Sequence, residues 1–215
     1  MAKVTNQLNV WKGKFGANYT VRNTFTVGML DRMYKKLYGI TRTEINRLFL
    51  GKMDRSIRIL EVGSNTGNQL LCLRKMGFKN LYGIEPQDYA VGYSRSRTKD
   101  INIIKADAFN IPFKDGYFDL VFTSGVLIHI DPCKIKKALS EICRCSRKYI
   151  WGFEYYAQDY TDVVYRGKNG LLWKADFPSI YTETFPDLKA TRVERFKYVD
   201  NENEDVAFLL KKEKA

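Results

Sequence analysis

The sequence lacks long apolar runs, paired metal-binding cysteines and internal repeats. No stretch approaches the roughly 20 consecutive apolar residues that a membrane helix needs, and the N-terminal segment "MAKVTNQLNVWKGKFG" has no apolar signal-peptide core. We therefore expect a cytoplasmic protein that makes no membrane contact. The four cysteines form no CxxC pair, and the Cys143–Cys145 spacing has no second pair to complete a metal site. They predict reduced structural thiols, and no bound metal is expected.

The length and charge of the chain allow one core and several kinds of partner. With 215 residues, of which 45% are hydrophobic, the chain is long enough for one sizeable core. No low-complexity linker divides it, so we expect a single domain over residues 1–215. Lys and Arg (36) outnumber Asp and Glu (24), for a formal net charge of +12. This balance is compatible with nucleic acid, with an acidic small substrate or with solubility alone.

From residue 57 onward, strand and helix patterns alternate. Such alternation predicts a mostly parallel α/β sheet that is covered by helices on both faces and ends in an antiparallel hairpin. Residues 1–50 are predicted to form a helical N-terminal cap before a core at 51–215, with a substrate-facing insertion at about 154–190. The predicted strands are 58–62, 80–86, 101–107, 117–125, 148–156, 191–199 and 205–212, and the predicted helices of the core are 67–77, 88–97 and 132–145.

Polar residues follow the predicted strands at the points where the strands end. In an open parallel sheet, ligands bind in the crevice outside the carboxyl ends of the strands. This edge of the predicted sheet holds three carboxylates, the only histidine, a glycine turn and two tyrosines. Together these residue types indicate an active site. The residues are Gly63 to Gly67, Glu85, Asp107, Ala108, Thr123 to His129, Glu154, Tyr155 and Tyr156.

The turn after the first strand narrows the choice of cofactor. It reads Gly63-Ser64-Asn65-Thr66-Gly67, so it lacks the G-x-G-x-x-G pattern that brings bare backbone to a pyrophosphate, and it lacks the Gly-Lys-Ser/Thr of a P-loop. Glu85, at the end of the second strand, is placed to accept hydrogen bonds from the two hydroxyls of a ribose. The polar side chains of Ser64 and Asn65 suit a zwitterionic amino-acid moiety. The pattern predicts a nucleoside ligand without phosphates.

Three segments together resemble the successive motifs of class I S-adenosylmethionine-dependent methyltransferases. They are "ILEVGSNTG" (59–67), "LYGIEP" (81–86) and "IKADAFNIPFKDGYFDLVFTSGVLIHI" (104–130), in this order. The resemblance implies a Rossmann-like, seven-stranded, mostly parallel sheet with an antiparallel last strand, and S-adenosyl-L-methionine as the cofactor. Where many members of the family carry a further glycine, this chain has Asn65.

The resemblance also implies a cofactor site. Glu61, Gly63 and Gly67 would border the methionine moiety, Glu85 would hold the ribose with Pro86 beside it, and Asp107 and Ala108 would contact the adenine. Ser124 and Gly125 would lie beneath the sulfonium. From the N-terminal cap, Tyr19 and Arg22 are further candidates, facing the methionine carboxylate, because an Arg fork matches a carboxylate well.

Two flanking segments suggest a narrower family. "WKGKFGANYTVRN" (11–23) and "VVYRGKNGLLWKADF" (163–177) resemble methylases associated with the biosynthesis of pseudaminic acid, an acidic nine-carbon sugar. This implies a small-molecule acceptor, a sugar acid or nucleotide sugar of surface-glycan synthesis. Tyr155, Tyr156, Tyr165, Arg166 and Lys174 are the candidate substrate contacts, because they follow the fifth strand or lie in the insertion, where substrate loops are expected.

For a hydroxyl acceptor, methyl transfer also needs a group that removes a proton. His129 is one candidate base, since its unperturbed pKa near 6.5 suits neutral pH, and Glu154 is the other. The alternatives are a histidine that only hydrogen-bonds the backbone and a surface or structural carboxylate.

Three alternatives stand beside a small-molecule methyltransferase. An RNA methyltransferase would agree with the positive charge, but the segment after the fourth strand reads "TSGV" rather than D/N-P-P-Y/F, and it contains no cysteine. No appended RNA-binding module is visible, so nucleic acid is not the expected partner. A protein methyltransferase and a cofactor-binding module without catalysis are the other two. The sequence makes no prediction about the oligomeric state.

Overall fold

The computed structural model describes residues 6–213, and four helices precede the first strand of the sheet. They are α1 (Asn6–Lys12), α2 (Lys14–Arg22), α3 (Val27–Tyr38) and α4 (Arg42–Leu50). Thr41 starts α4 with a capping box, in which its side chain accepts from the Glu44 amide while the Glu44 carboxylate accepts from the Thr41 amide. The first five residues of the predicted cap and the last two residues of the basic tail lie outside the described residues.

Seven strands form one sheet, as predicted. They are β1 (Arg58–Val62), β2 (Asn80–Glu85), β3 (Asn102–Lys105), β4 (Phe118–Ser124), β5 (Ser146–Tyr155), β8 (Leu188–Lys197) and β9 (Glu204–Lys212), and their spatial order is β3-β2-β1-β4-β5-β9-β8. The first five run parallel to one another, whereas β9 pairs antiparallel with both β5 and β8. The chain therefore has the predicted Rossmann-like α/β fold with an antiparallel last strand.

Helices cover both faces of the sheet and divide the core in two. They include α5 (Asn68–Lys75), α6 (Asp88–Arg97), α7 (Ile135–Cys145) and α8 (Phe177–Thr184), and a short 3-10 helix covers Leu127–His129. Alternate residues of each strand point to opposite faces. Consequently Leu60 packs with α7 and α8, whereas its neighbour Ile59 packs with α3, α4 and α5.

The structure departs from the predicted elements in several places, and the helix α8 within the insertion was not predicted. The seventh helix starts at Ile135 rather than at Pro132, because the preceding residues form a turn in which Asp131 accepts a hydrogen bond from the Cys133 amide. The strand predicted from residue 191 begins at Leu188. Within the insertion, β6 (Thr161–Asp162) and β7 (Trp173–Lys174) form a small antiparallel ladder that no sequence pattern predicted.

The cysteines are free thiols, and three of the four are buried. Burial raises the pKa of the Cys72 and Cys143 thiols to about 12 and that of Cys145 to about 11. These thiols are therefore protonated and behave as small apolar side chains. None of the helices described between residues 6 and 213 has the length and apolar character that a bilayer crossing requires.

Candidate active site

A cleft of about 430 Å³ lies outside the carboxyl ends of the parallel strands, beneath the N-terminal helices. Its volume falls in the range of small-molecule and cofactor sites. Most of the predicted site residues line it: Tyr19, Glu61, Gly63, Ser64, Asn65, Glu85, Pro86, Asp107, Ala108, Ser124, Gly125, His129, Tyr155, Tyr165 and Arg166. Arg22, Gly67, Glu154, Tyr156 and Lys174 are not part of the lining.

The turn between β1 and α5 contains three residues in the left-handed backbone conformation. Gly63 (φ 72°), Asn65 (φ 47°) and Gly67 (φ 77°) all adopt it. A Cβ atom at Gly63 would also lie 2.7 Å from Cγ2 of Val126, so the turn and the loop after β4 approach too closely for a side chain. Asparagine is one of the residues that tolerate this conformation, which explains how Asn65 replaces a glycine. Gly67 starts α5 and supports the turn from outside the cleft.

Both oxygens of the Glu85 carboxylate bind backbone amides. Oε2 accepts from the Asn65 N–H at 3.0 Å, and Oε1 accepts from the Gln87 N–H at 3.0 Å. Burial raises the pKa of Glu85 to about 7 despite these hydrogen bonds. Each carboxylate oxygen can still accept a second hydrogen bond. Glu85 therefore links the glycine turn to α6 and presents acceptors to the cleft.

Glu61 brings a second buried carboxylate to the cleft. Its side chain is 3% exposed, and Oε2 has no hydrogen-bond partner among the described residues. Burial raises its pKa well above the ordinary value, while the nearby Arg42 guanidinium acts in the opposite direction. An unpartnered buried carboxylate oxygen is costly unless a ligand supplies a donor or a cation.

Asp107 and Ala108 form the end of the cleft beyond β3. Asp107 Oδ1 accepts from the Phe109 amide at 3.0 Å, and its Oδ2 lies 3.8 Å from the Lys12 ammonium of α1. The first helix thus reaches across the cleft to this carboxylate. On the opposite side, Gly125 (φ 65°) donates its amide to the Phe153 carbonyl, which holds the loop after β4 against β5.

The end of α2 and the segment after it are tied to the glycine turn by side chains. Thr20 Oγ1 donates to Asn65 Oδ1 at 2.9 Å, and Asn68 Nδ2 donates to the Asn23 carbonyl at 2.7 Å. Arg97 donates to the Phe25 carbonyl and to Thr66. These contacts seat the N-terminal helices over the turn, so Asn65 both shapes the turn and anchors the cap.

Of the two predicted cap residues, only Tyr19 faces the cleft. Tyr19 packs edge-on against Trp11, with ring centroids 5.2 Å apart, and burial raises the pKa of its phenol. Arg22 lies exposed at the end of α2. The prediction that Arg22 faces a ligand carboxylate is therefore not supported, because the helix turns this side chain away from the cleft.

His129 lies in the cleft as a neutral imidazole. Nδ1 is 2.8 Å from the Leu171 carbonyl oxygen, and because a carbonyl only accepts, Nδ1 carries the proton. The neutral ring therefore keeps an unprotonated Nε2. Burial lowers the pKa of His129 to about 4, against the opposing effect of the Leu171 hydrogen bond. The ring is held between Trp11, at 4.4 Å, and Tyr165, at 5.7 Å between centroids.

Glu154 supports the loop that carries His129 and does not reach the cleft. The side chain is fully buried, and it accepts the Val126 amide at 2.9 Å and the amides of Leu127 and Ile128. It thus caps the N-terminus of the 3-10 helix that ends at His129. This placement argues against Glu154 as a base that touches a substrate and makes it a positioning residue.

Glu154 should make stability depend on pH. Burial raises its pKa from 4.5 to about 7, so between these pH values the folded protein keeps a proton that the unfolded chain has released. The free energy of unfolding therefore falls as pH rises, by about 1.4 kcal/mol per pH unit from this group. In Glu154→Gln the slope between pH 5 and 7, measured by urea unfolding, should be shallower by that amount. Glu183→Gln, at an exposed position, should keep the wild-type slope; equal slopes in all three proteins would contradict the assignment.

The insertion supplies only part of the predicted substrate contacts. Tyr165 and the exposed Arg166 line the cleft, as does Tyr155 at the end of β5. Tyr156 instead points to the other side of the sheet, where its hydroxyl donates a hydrogen bond to Gln158. The guanidinium carbon of Arg195 lies 3.8 Å from the centroid of the Tyr156 ring. Lys174 is directed to Asn203 on the outer turn between β8 and β9.

Several lining residues were not among the predicted site residues. Trp11 of α1 contacts His129 directly, and Tyr34, Tyr38, Tyr198 and Asp205 form the wall under β5 and β9. The only available signal was the antiparallel direction of the last strand, which brings its first residues to the carboxyl edge of the sheet. Among residues 6–213, no group of three or more His, Cys, Asp or Glu side chains is arranged to hold a metal ion.

Comparison of sequences finds methyltransferases. Residues 60–149 match the family model described as "Methyltransferase domain". An uncharacterized methyltransferase of Staphylococcus carnosus (strain TM300) is 35% identical over 75 residues, which cover 35% of this chain and 35% of that protein. The matched stretch therefore spans about a third of the curated relative.

Comparison of structures finds the same fold. A SAM-dependent methyltransferase from Aquifex aeolicus has a TM-score of 0.63 and 18% identity, and the match covers 91% of this chain and 99% of the other. The Burkholderia thailandensis 1,6-didemethyltoxoflavin-N1-methyltransferase was solved with 1,6-didemethyltoxoflavin and S-adenosylhomocysteine bound. It has a TM-score of 0.71 and 13% identity, over 99% of this chain and 91% of its own. At these identities the likeness concerns the fold alone.

Proposed function

We propose that this chain, which carries an S-adenosylmethionine-dependent methyltransferase domain at residues 60–149, transfers a methyl group to a small molecule. One observation carries the proposal. Most of the predicted cofactor residues, the candidate base His129 and the candidate substrate contacts Tyr155 and Tyr165 line a single cleft of about 430 Å³ roofed by the N-terminal helices. A roofed cleft of this size suits a cofactor with a small acceptor better than a folded macromolecule.

The buried polar groups of the cleft fit S-adenosylmethionine. Glu85 offers two carboxylate oxygens to ribose hydroxyls, and the unpartnered Oε2 of Glu61 suits the neighbourhood of an amino-acid ammonium group. Asp107 remains the candidate for the adenine amino group. When bound, the cofactor supplies an electrophilic methyl group on its sulfonium.

The chain's own contribution to the transfer would be alignment, exclusion of water and removal of a proton. His129 is the candidate base for a hydroxyl acceptor, because its Nε2 is unprotonated and its ring is fixed through Nδ1. Burial, which lowers its pKa to about 4, makes the ring a weaker base than a free imidazole. Trp11 and Tyr19 cover the cleft from above. Glu154 would keep the His129 loop in place.

The acceptor we favour is a sugar acid or a nucleotide sugar of surface-glycan synthesis, of the pseudaminic acid type. The two flanking segments with that resemblance meet at His129, since Trp11 comes from one and Tyr165 and Leu171 come from the other. Arg166 on the cleft could pair with a carboxylate or phosphate.

The test uses purified protein, methyl-labelled S-adenosylmethionine and a bacterial extract separated into small-metabolite, RNA and protein fractions. We expect label in the small-metabolite fraction, and a loss of that label in Glu85→Ala. Label in RNA or protein would overturn the acceptor class. A protein that binds S-adenosylhomocysteine in a calorimeter but labels no fraction would favour a binding module without catalysis.

A further inference from the structure

The cleft extends beyond the part that the cofactor residues account for. Glu85 ends β2, Asp107 and the glycine turn follow β3 and β1, and Ser124 and Gly125 lie at the end of β4. The next strands along the sheet are β5 and β9. Because β9 runs antiparallel, its start lies at the same edge as the end of β5, and Asp205 is paired with Tyr155 across the two strands.

Asp205 is a buried carboxylate in a wall of tyrosines. It is 2% exposed and still lines the cleft. Its Oδ2 accepts the Tyr38 hydroxyl at 2.6 Å, and it also hydrogen-bonds to Tyr198, which in turn bonds to Tyr155. The tyrosines come from α3, β5 and the end of β8, so three elements converge on this carboxylate.

The charge of Asp205 is only partly compensated. Burial raises its pKa to about 7, against the two tyrosine hydrogen bonds and the more distant charges of Lys174 and Arg42. A carboxylate oxygen has two acceptor sites, so the donors in the wall do not exhaust the group. A ligand that brings hydroxyl or amino donors into this part of the cleft would therefore gain strong, charge-assisted hydrogen bonds.

The surrounding side chains restrict the shape of such a ligand. Tyr34, Tyr38, Phe153 and Tyr155 line the same part of the cleft, and they supply ring faces and edges rather than flexible polar chains. Ring faces suit the C–H face of a saturated ring, and the carboxylate suits the hydroxyl or amino groups on its rim. No residue of this wall belongs to the segments that carry the cofactor motifs.

We propose that Asp205, held by Tyr38 and Tyr198, anchors the methyl acceptor by accepting hydrogen bonds from hydroxyl or amino groups of a sugar ring. The inference rests on the proposed function, because the neighbouring part of the cleft must hold the cofactor. It assigns the region under β5 and β9 to the acceptor, so that Ser124 and Gly125 mark the boundary across which the methyl group passes.

The test measures sugar binding to the protein saturated with S-adenosylhomocysteine. Saturation-transfer NMR titrations use D-glucosamine, D-glucuronic acid and N-acetylneuraminic acid, with cyclohexanecarboxylic acid as a ring without hydroxyl donors. At least one sugar should bind the wild type, and Asp205→Asn should weaken it about tenfold or more, because a charged hydrogen-bond acceptor is lost. Asp200→Asn, the same change at an exposed position of the adjoining turn, should bind like the wild type.

Calorimetry with S-adenosylhomocysteine separates the possible failures. If the wild type does not bind S-adenosylhomocysteine, the proposed function fails. If the wild type binds S-adenosylhomocysteine but no sugar, only the present inference is overturned. The same holds if Asp205→Asn binds the sugar as well as the wild type does. Asp205→Asn should keep its affinity for S-adenosylhomocysteine within about twofold, which also shows that it folds. Tyr155→Phe leaves the carboxylate in place and should weaken the sugar by a smaller factor than Asp205→Asn; a larger effect would contradict the anchor role of Asp205.

Discussion

Replacing Glu85 with glutamine should weaken the binding of S-adenosylhomocysteine by about a hundredfold. Both carboxylate oxygens accept backbone amides, from Asn65 and Gln87, in a buried position. Glutamine keeps one acceptor oxygen and turns an NH₂ group towards one of these N–H donors. The ribose would also lose a charged acceptor for its hydroxyls, and hydrogen bonds to charged groups contribute about 1.5–3 kcal/mol each.

Isothermal titration calorimetry measures this loss directly. Glu183→Gln is the matched control, because it makes the same change at an exposed position of α8. It should bind S-adenosylhomocysteine like the wild type. Affinity of Glu85→Gln within about threefold of wild type would mean that Glu85 shapes the turn without contacting the cofactor.

A methyl group at Gly152 should destabilise the protein by about 3 kcal/mol or more. Gly152 lies on β5, directly opposite Phe208 of β9, and the ring of Phe208 covers it. A Cβ atom there would lie 2.1 Å from Phe208 Cζ and 2.4 Å from Cε1, in a fully buried position. Overpacking of a filled core usually costs about 1–3 kcal/mol, and a ring enclosed on both sides can move less than most.

Urea unfolding of Gly152→Ala compares this position with an open one. At Gly92, an exposed position of α6, an added Cβ meets nothing within 4 Å, so Gly92→Ala should be neutral or stabilising by up to about 1 kcal/mol. Phe208→Leu in the Gly152→Ala background should recover part of the loss. If the double variant is no more stable than Gly152→Ala, the contact with Phe208 is not the cause.

The fold could be predicted because strands and helices differ in the period of their apolar residues. The helix α7 has Ile135, Leu139 and Ile142 on one buried face, as its spacing indicated. The mostly parallel sheet followed from the alternation of strands and helices. The small ladder of β6 and β7 could not be predicted in this way, because its two strands contain two residues each and have no period to detect.

The cofactor half of the cleft was predictable for a related reason. Its residues follow consecutive strands, and every parallel strand ends at the same edge, so Glu85 and Asp107 had to come near the glycine turn. Arg22 shows the limit of this argument, because the direction of a helical side chain depends on how the helix is seated. The seating depends on contacts such as Thr20 with Asn65, between residues far apart in sequence.

The acceptor half could not be predicted from local patterns. Asp205 reaches the cleft only because β9 reverses direction next to β5, and Trp11 does so only because α1 crosses the cleft to Asp107. Glu154 shows the same limit. Its place at the end of a strand indicated a site residue, but the loop after β4 folds over it and uses its oxygens as a cap.

The position of β9 between β5 and β8 also bears on the order in which the chain folds. β9 pairs with β5 at a sequence separation as large as that between β1 and β4, and β5 keeps an unpaired edge until residues 204–212 dock. An open edge of apolar residues such as Ile150 and Trp151 is a template for pairing with another chain. We therefore expect aggregation during refolding to start at the edge of β5.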